Sequence, residues 1–141
     1  MLLSARMLQT VTDVNSWEIV DSLRFSQGDT IVVYLQLVDL NKDRLMQGFK
    51  PSGRRYAPTT ASVPSLQVTV QNIDDTKTIV RTATQAFPED TSIWKFTLVP
   101  GDALRGGTFS IRLQLTETSV VTSGIIPAAL SVVSNTGAFI V

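Results

Sequence analysis

Carboxylates are the side chains of this chain that come closest to a chemical motif. Residues 39–43, D-L-N-K-D, begin like an EF-hand calcium loop. That loop requires glycine at its sixth position and glutamate at its twelfth, and Arg44 and Lys50 stand there instead. A turn accounts better for this segment, so the sequence predicts no metal site.

Two adjacent acidic pairs, Asp74 with Asp75 and Glu89 with Asp90, are candidates for glycosidase chemistry. Each pair falls at a predicted turn, where acidic residues commonly serve solubility. The chain has no histidine, the commonest general base, so a serine nucleophile would need a lysine. The lysines are all expected to face solvent: Lys42, Lys50, Lys77 and Lys95. We predict that the protein is not an enzyme and has no catalytic residue and no cofactor.

Aromatic side chains offer a different chemistry, the stacking of sugars or bases. A carbohydrate-binding or receptor-binding module would need an exposed platform, for instance Trp17 with Tyr34 or Tyr56. Single aromatic residues on alternating strands more often belong to a core or an interface. We therefore keep the binding module as the alternative to an assembly function.

The composition bounds the class of protein. A chain of 141 residues with 43% hydrophobic residues is expected to form a single domain, residues 1–141, with a real core. The formal net charge is zero, which argues against nucleic acid as a partner. There is no cysteine, and the longest apolar stretch, residues 125–133, is far shorter than the roughly 20 residues of a membrane span. We expect a soluble protein without a membrane partner.

Two alternating segments joined by a corner at residues 100–107 dominate the pattern. In residues 93–98 and 109–116, apolar side chains recur at every second position, which is typical of half-buried antiparallel strands. The remaining predicted strands are residues 17–25, 30–40, 65–73, 76–87, 118–123, 125–133 and 138–141. Both faces of residues 30–40 are largely apolar, so this strand is expected to be central or covered.

Short strands with regular turns fit an antiparallel sandwich or barrel. We predict an all-β fold, an antiparallel β-sandwich of immunoglobulin-like or jelly-roll-like type. We also expect an N-terminal arm, residues 1–16, that packs on the domain or on a neighbour, and a long basic loop, residues 41–64. Five of the 12 basic residues lie in this loop; it is either a solvated loop or a contact with an acidic partner surface.

The arm and the loop supply the candidate interface residues. The arm contributes apolar side chains, and the loop contributes cations and one tyrosine. The candidates are Leu2, Leu3, Met7, Leu8, Lys42, Arg44, Lys50, Arg54, Arg55 and Tyr56.

Two segments carry a resemblance to known proteins. Residues 25–39, F-S-Q-G-D-T-I-V-V-Y-L-Q-L-V-D, resemble the opening of small β-sandwich domains in tailed-phage virion proteins, such as the N-terminal domains of baseplate and tail-fibre components and capsid decoration proteins. Residues 90–98 with 107–111 resemble the strand, corner and strand of immunoglobulin-like modules. Phe109 stands where those modules place a corner tyrosine; it lacks the hydroxyl, and the cysteine pair is absent too.

The resemblance implies a structural virion protein located in the virion. Its expected partners are other virion proteins, in a homo-oligomer and in a hetero-assembly. The resemblance implies no catalytic residue, and it does not distinguish a tail or baseplate adaptor from a capsid decoration protein.

Overall fold

A computed structural model describes residues 1–42, 54–74, 77–99 and 106–133. Within these ranges the chain contains strands and two short 3₁₀ turns, Leu40–Lys42 and Thr60–Ser62. The strands are β1 (Leu3–Asp13), β2 (Ser16–Val20), β3 (Leu23–Ser26), β4 (Ile31–Asp39), β5 (Arg54–Arg55), β6 (Ser65–Asn72), β7 (Thr78–Phe87), β8 (Asp90–Leu98), β9 (Gly107–Glu117) and β10 (Val120–Val133). The all-β prediction is confirmed.

The prediction of a β-sandwich, immunoglobulin-like or jelly-roll-like, is wrong. Seven strands are hydrogen-bonded in the order β1-β10-β9-β6-β7-β8-β4, and β4 pairs again with β1, so the sheet closes into a barrel. The closing ladder is antiparallel and runs from Leu3 opposite Asp39 to Leu8 opposite Tyr34. Alternating apolar residues look the same in a sandwich and in a barrel, and this long-range pairing decides between them.

The predicted N-terminal arm is also corrected, because residues 3–8 are a wall strand of the barrel. Leu3, Ala5 and Met7 point into the core and are buried. Beyond Leu8, β1 continues into a hairpin with β2. We call residues 9–20 the arm hairpin, because it is the part of the predicted arm that leaves the barrel wall.

The core follows the period of two that the sequence shows. Every second residue of β6 and β9 is buried, and these side chains form one apolar cluster with those of β4 and β8. Burial of each such side chain contributes about 1.5–3 kcal/mol. From β4 the cluster receives Ile31, Val33, Leu35 and Leu37.

The prediction of two short strands around Gly124 is replaced by one strand, β10. Gly124 lies opposite Leu3 of β1 in the one residue pair that joins these parallel strands. A β-carbon on Gly124 would be 2.2 Å from the carbonyl oxygen of Leu3. The glycine is therefore required for the close approach of two backbones and does not end a strand.

The described residues include some of the predicted turns and loops. The predicted turn at residues 26–29 is present, with Gly28 at φ 93° and the Asp29 amide donating to the Ser26 carbonyl oxygen at 3.2 Å. In the predicted basic loop, β5 pairs with β4, and residues 43–53 lie outside the described residues. The predicted strand at residues 138–141 and most of the corner at residues 100–107 lie outside them too.

Candidate interaction site

The barrel wall is incomplete on one side because β1 leaves it early. The ladder between β1 and β4 ends at Leu8 and Tyr34, whereas the ladder between β4 and β8 continues to Ile31. Residues 31–33 thus have a strand partner on one side only, as far as the described residues show. The early part of β4 presents a free edge where β1 has departed.

A local distortion explains why β1 departs. Thr10 has φ 56°, a left-handed conformation that is uncommon for a threonine. The pairing of β1 with β2 shifts register between Gln9 and Asp13, as it does at a bulge, and bulges bend strands. The bend directs the arm hairpin away from the wall.

The strand β3 takes over the wall position that β1 vacates. It runs parallel to β10, from Leu23 opposite Leu130 to Ser26 opposite Val133. The amide of Gln27 extends this ladder by donating to the Val133 carbonyl oxygen at 2.8 Å. No described strand pairs with the other edge of β3. Two free edges, one on β3 and one on β4, therefore border the same opening.

We call this opening the β3–β4 slot. It is a cavity of about 480 Å³ that is lined by Leu8, Gln9, Thr10, Val11, Ser22, Leu23, Arg24, Phe25, Val32 and Tyr34. Six of its ten lining side chains are apolar or aromatic, although polar and apolar atoms contribute about equally to its walls, and Val32 is 43% exposed. Within the described part of the chain, Arg24 is the one charged residue of this lining, and it forms no ion pair there.

The slot suits strand addition better than chemistry. A free strand edge offers unpaired backbone donors and acceptors, which an extended segment of a partner can satisfy. Arg24 is always protonated in a protein and does not act as a general base. The described residues hold no group of three histidine, cysteine, aspartate or glutamate side chains that would bind a metal ion.

The opposite end of the barrel holds the polar contacts of the predicted loop. The Tyr56 hydroxyl donates to Glu117 Oε2 at 2.5 Å. Burial, followed by this hydrogen bond, raises the pKa of Tyr56 to about 12. The contact fastens the segment after β5 to the end of β9.

A second polar contact involves Arg55, which pairs with Asp90 at 3.0 Å. Burial raises the pKa of Asp90, but the hydrogen bonds from the Ser92 hydroxyl and amide, together with the charge of Arg55, outweigh it. The pKa of Asp90 is therefore lowered from its usual value. Asp90 is held as a carboxylate that organises the start of β8.

The segment that resembles a calcium loop uses its first carboxylate for structure. Asp39 is buried, and its Oδ1 accepts hydrogen bonds from the Leu2 amide at 3.1 Å and the Asn41 amide at 3.0 Å. These contacts join the N-terminus to the end of β4.

The predicted interface residues are dispersed over the barrel. Leu3 and Met7 are in the core, Leu8 is buried and lines the slot, and Leu2 is exposed. Lys42 ends a 3₁₀ turn, and Arg54 and Arg55 are exposed on β5. Tyr56 is half-buried, and Arg44 and Lys50 lie outside the described residues.

Sequence reasoning missed Arg24, Phe25 and Val32 as candidate site residues. A signal for Val32 was present, since the second face of the β4 sequence is also apolar. For Arg24 and Phe25 the sequence carries no comparable signal, because the slot depends on β3 being paired with β10 and not with β4.

The three candidate aromatic residues do not line one surface in the described structure. Tyr34 lines the slot. Trp17 lies in the arm hairpin, where its Nε1 donates to the Val14 carbonyl oxygen at 2.9 Å. Tyr56 is bonded at the other end of the barrel. No observation therefore favours carbohydrate binding over assembly.

Comparison with known proteins assigns the chain to no family. No protein-family model matches the chain, and no curated protein is detectably similar to it in sequence. Among the described residues, no helix has the length and apolar character needed to cross a bilayer. The class defined by the fold and the site is a closed all-β barrel with an open slot between two unpaired strand edges.

Proposed function

We propose that this protein is a non-enzymatic structural component of a tailed-phage virion. In this role it acts in the tail or baseplate, or decorates the capsid. It joins its neighbours by accepting an extended segment in the β3–β4 slot. The observation that carries the assembly role is the slot itself, with its two free edges and the apolar side chains that lie between them.

Unpaired edges are a liability unless a partner covers them. Natural proteins usually protect an edge with charged residues, prolines or a covering loop. The β3–β4 slot has one charged side chain, Arg24, and an exposed valine, Val32. We expect a surface with these properties to be covered by a partner in an assembly.

The assignment to a virion is supported by the sequence resemblance alone. It rests on residues 25–39, which resemble the opening of small β-sandwich domains in phage virion proteins, whereas residues 90–98 with 107–111 resemble immunoglobulin-like modules. The first of these segments includes Phe25 and Val32 of the slot. The barrel differs from the sandwich that the resemblance implies, so the fold adds nothing to this part of the proposal.

Particle incorporation tests the proposal. Phage particles are assembled with wild-type protein, with Val32→Lys or with the control Val80→Lys, and the chain is quantified in purified particles by mass spectrometry. Val32 and Val80 are similarly exposed, at 43% and 47%, but Val80 lies on β7, outside the slot. We expect wild-type and Val80→Lys chains in particles and loss of Val32→Lys. Absence of the wild-type chain from particles would refute the virion role, and equal incorporation of both variants would refute the role of the slot.

A further inference from the structure

We propose that the β3–β4 slot receives the arm hairpin of a second copy of this chain, so that two molecules exchange hairpins about a two-fold axis. This inference rests on the proposed function and deepens it, because it names the occupant of the slot. The chain carries both a donor strand and an acceptor slot.

The donor is β2, the outer strand of the arm hairpin. It is a terminal strand of the sheet, and one of its edges has no strand partner among the described residues. Its length matches the acceptor, since β2 has five residues and β3 has four. At about 3.4 Å per residue these strands extend roughly 17 and 14 Å. A β2 strand therefore spans the free edge of β3.

The donor strand is also apolar where a partner would touch it. Ile19 is 52% exposed on β2. Trp17 shares its side of the strand, and its one polar atom is already satisfied by the Val14 carbonyl oxygen. Both residues thus present carbon surface, which matches the apolar lining that Phe25 and Val32 give to the slot.

Charge complementarity favours this occupant. Glu18 is the one charged residue of β2, and Arg24 is the one charged residue of β3. Glu18 accepts a hydrogen bond from Gln9 Nε2 at 3.2 Å, and a carboxylate has further lone pairs for an arginine. Arg24 has no ion pair within the described residues. Opposite charges on paired strands fix their register.

The positions of the arm hairpin and the β3–β4 slot lead to an exchange about a two-fold axis. The arm hairpin leaves the barrel beside its own slot, because residues 8–11 line the slot. A neighbour that donates its hairpin can then receive one in return, and such a reciprocal contact is closed. The assembly therefore stops at two copies and does not grow into a fibre.

The first test is sedimentation equilibrium of the full chain over about 1 to 100 µM, a range suited to micromolar affinity. We expect a dimer for wild type and at least about tenfold weaker association for Ile19→Lys. The control is Ile73→Lys, since Ile73 has the same 52% exposure but lies in the turn after β6. Arg24→Glu should weaken the dimer, and adding Glu18→Arg should restore it.

The absence of native cysteine allows a second, direct test. Glu18→Cys protein is mixed with Arg24→Cys protein and oxidised, which removes one hydrogen from each thiol as the disulfide forms. From an equimolar mixture we expect the mixed disulfide dimer to exceed either homodimer by clearly more than the factor of two that random pairing gives. A mixture without such preference would overturn the hairpin exchange, even where the chain dimerises.

The outcomes separate this inference from the proposed function. A wild-type chain that stays monomeric, while Val32→Lys still fails to enter particles, refutes the second copy as occupant and leaves the slot function standing. A chain that exchanges hairpins but never occurs in particles refutes the virion role and supports the inference.

Discussion

A β-carbon placed on Gly124 would lie 2.2 Å from the carbonyl oxygen of Leu3. This contact is the one residue pair between β1 and β10, and it lies where the barrel wall closes. On one side of it β1 completes the wall with β4, and further along the wall is completed by β3. The slot therefore lies beyond this close contact of two backbones, where β3 replaces β1 in the wall.

Gly124→Ala is expected to destabilise the fold strongly. Both crowded groups are backbone atoms, so neither can move without shifting a strand, and the cost should reach about 3 kcal/mol, at the upper end of overpacking. Ser123→Ala, at the exposed neighbouring position, should stay within about 0.5 kcal/mol. Urea unfolding measures both, and equal stabilities would mean that β1 does not approach β10 as described.

Val63→Asn is expected to stabilise the protein. Val63 has φ 48°, which costs a branched side chain about 1–2 kcal/mol and which asparagine tolerates. The side chain is 78% exposed, so little burial is lost. Thermal melting should show a gain of about 1 kcal/mol, whereas Val80→Asn, in the extended strand β7, should lose stability. A loss at both positions would argue against the left-handed turn.

Tyr56→Phe is expected to cost about 1 kcal/mol at pH 7, because it removes the hydrogen bond that the hydroxyl donates to Glu117. The contact is half-buried, so the loss is smaller than for a buried charged bond. Tyr34→Phe is the control, since no hydrogen bond of its hydroxyl is seen among the described residues. Equal stabilities of the two variants would show that the Tyr56 hydroxyl does not hold its segment to the end of β9.

The same hydroxyl should make stability depend on alkaline pH. Its pKa is raised from 10.0 to about 12 in the folded protein, so the fold favours the protonated form. This contribution is complete below pH 10 and is lost as the pH rises towards 12. Denaturant titrations from pH 9 to about 12 should show a steeper loss in wild type than in Tyr56→Phe. Parallel curves would contradict the raised pKa.

Ser92→Ala is expected to cost more than Arg55→Ala, although both residues contact Asp90. The Ser92 side chain is buried and its hydroxyl donates to Asp90 Oδ1 at 2.6 Å, so its loss should cost about 2 kcal/mol. Arg55 is exposed, and its ion pair should contribute less than about 1 kcal/mol. Urea unfolding at pH 7 gives the order, and the reverse order would make the ion pair the main restraint.

Much of the strand layout could be predicted from the sequence. A period of two with one apolar face placed β6, β8 and β9 correctly, since those strands bury one face against the barrel core. The closure of the sheet into a barrel could not be predicted from this alternation. It depends on Leu3–Leu8 lying beside β4, whereas the sequence predicted residues 1–16 to be an arm outside the sandwich.

The site was less predictable than the fold. Residues 17–25 read as one strand, but they divide into β2 and β3, which join different neighbours. Only this division leaves a gap beside β4. Arg55, one of the candidates chosen for its charge, forms an ion pair with Asp90 of the same chain.

Backbone hydrogen exchange is the most direct measure of whether the β3–β4 slot accepts a strand. Exchange is measured for residues 23–26 and 31–33 in the dilute chain and in its assembled form. We predict that the amides of these residues that face the slot exchange fast in the dilute chain and become protected on assembly. The amides that bond to β8 or β10 should be protected in both forms, and the Ile73 amide, which donates to the Thr108 carbonyl oxygen, should not change. Assembly that leaves both edges of the slot unprotected would contradict strand addition.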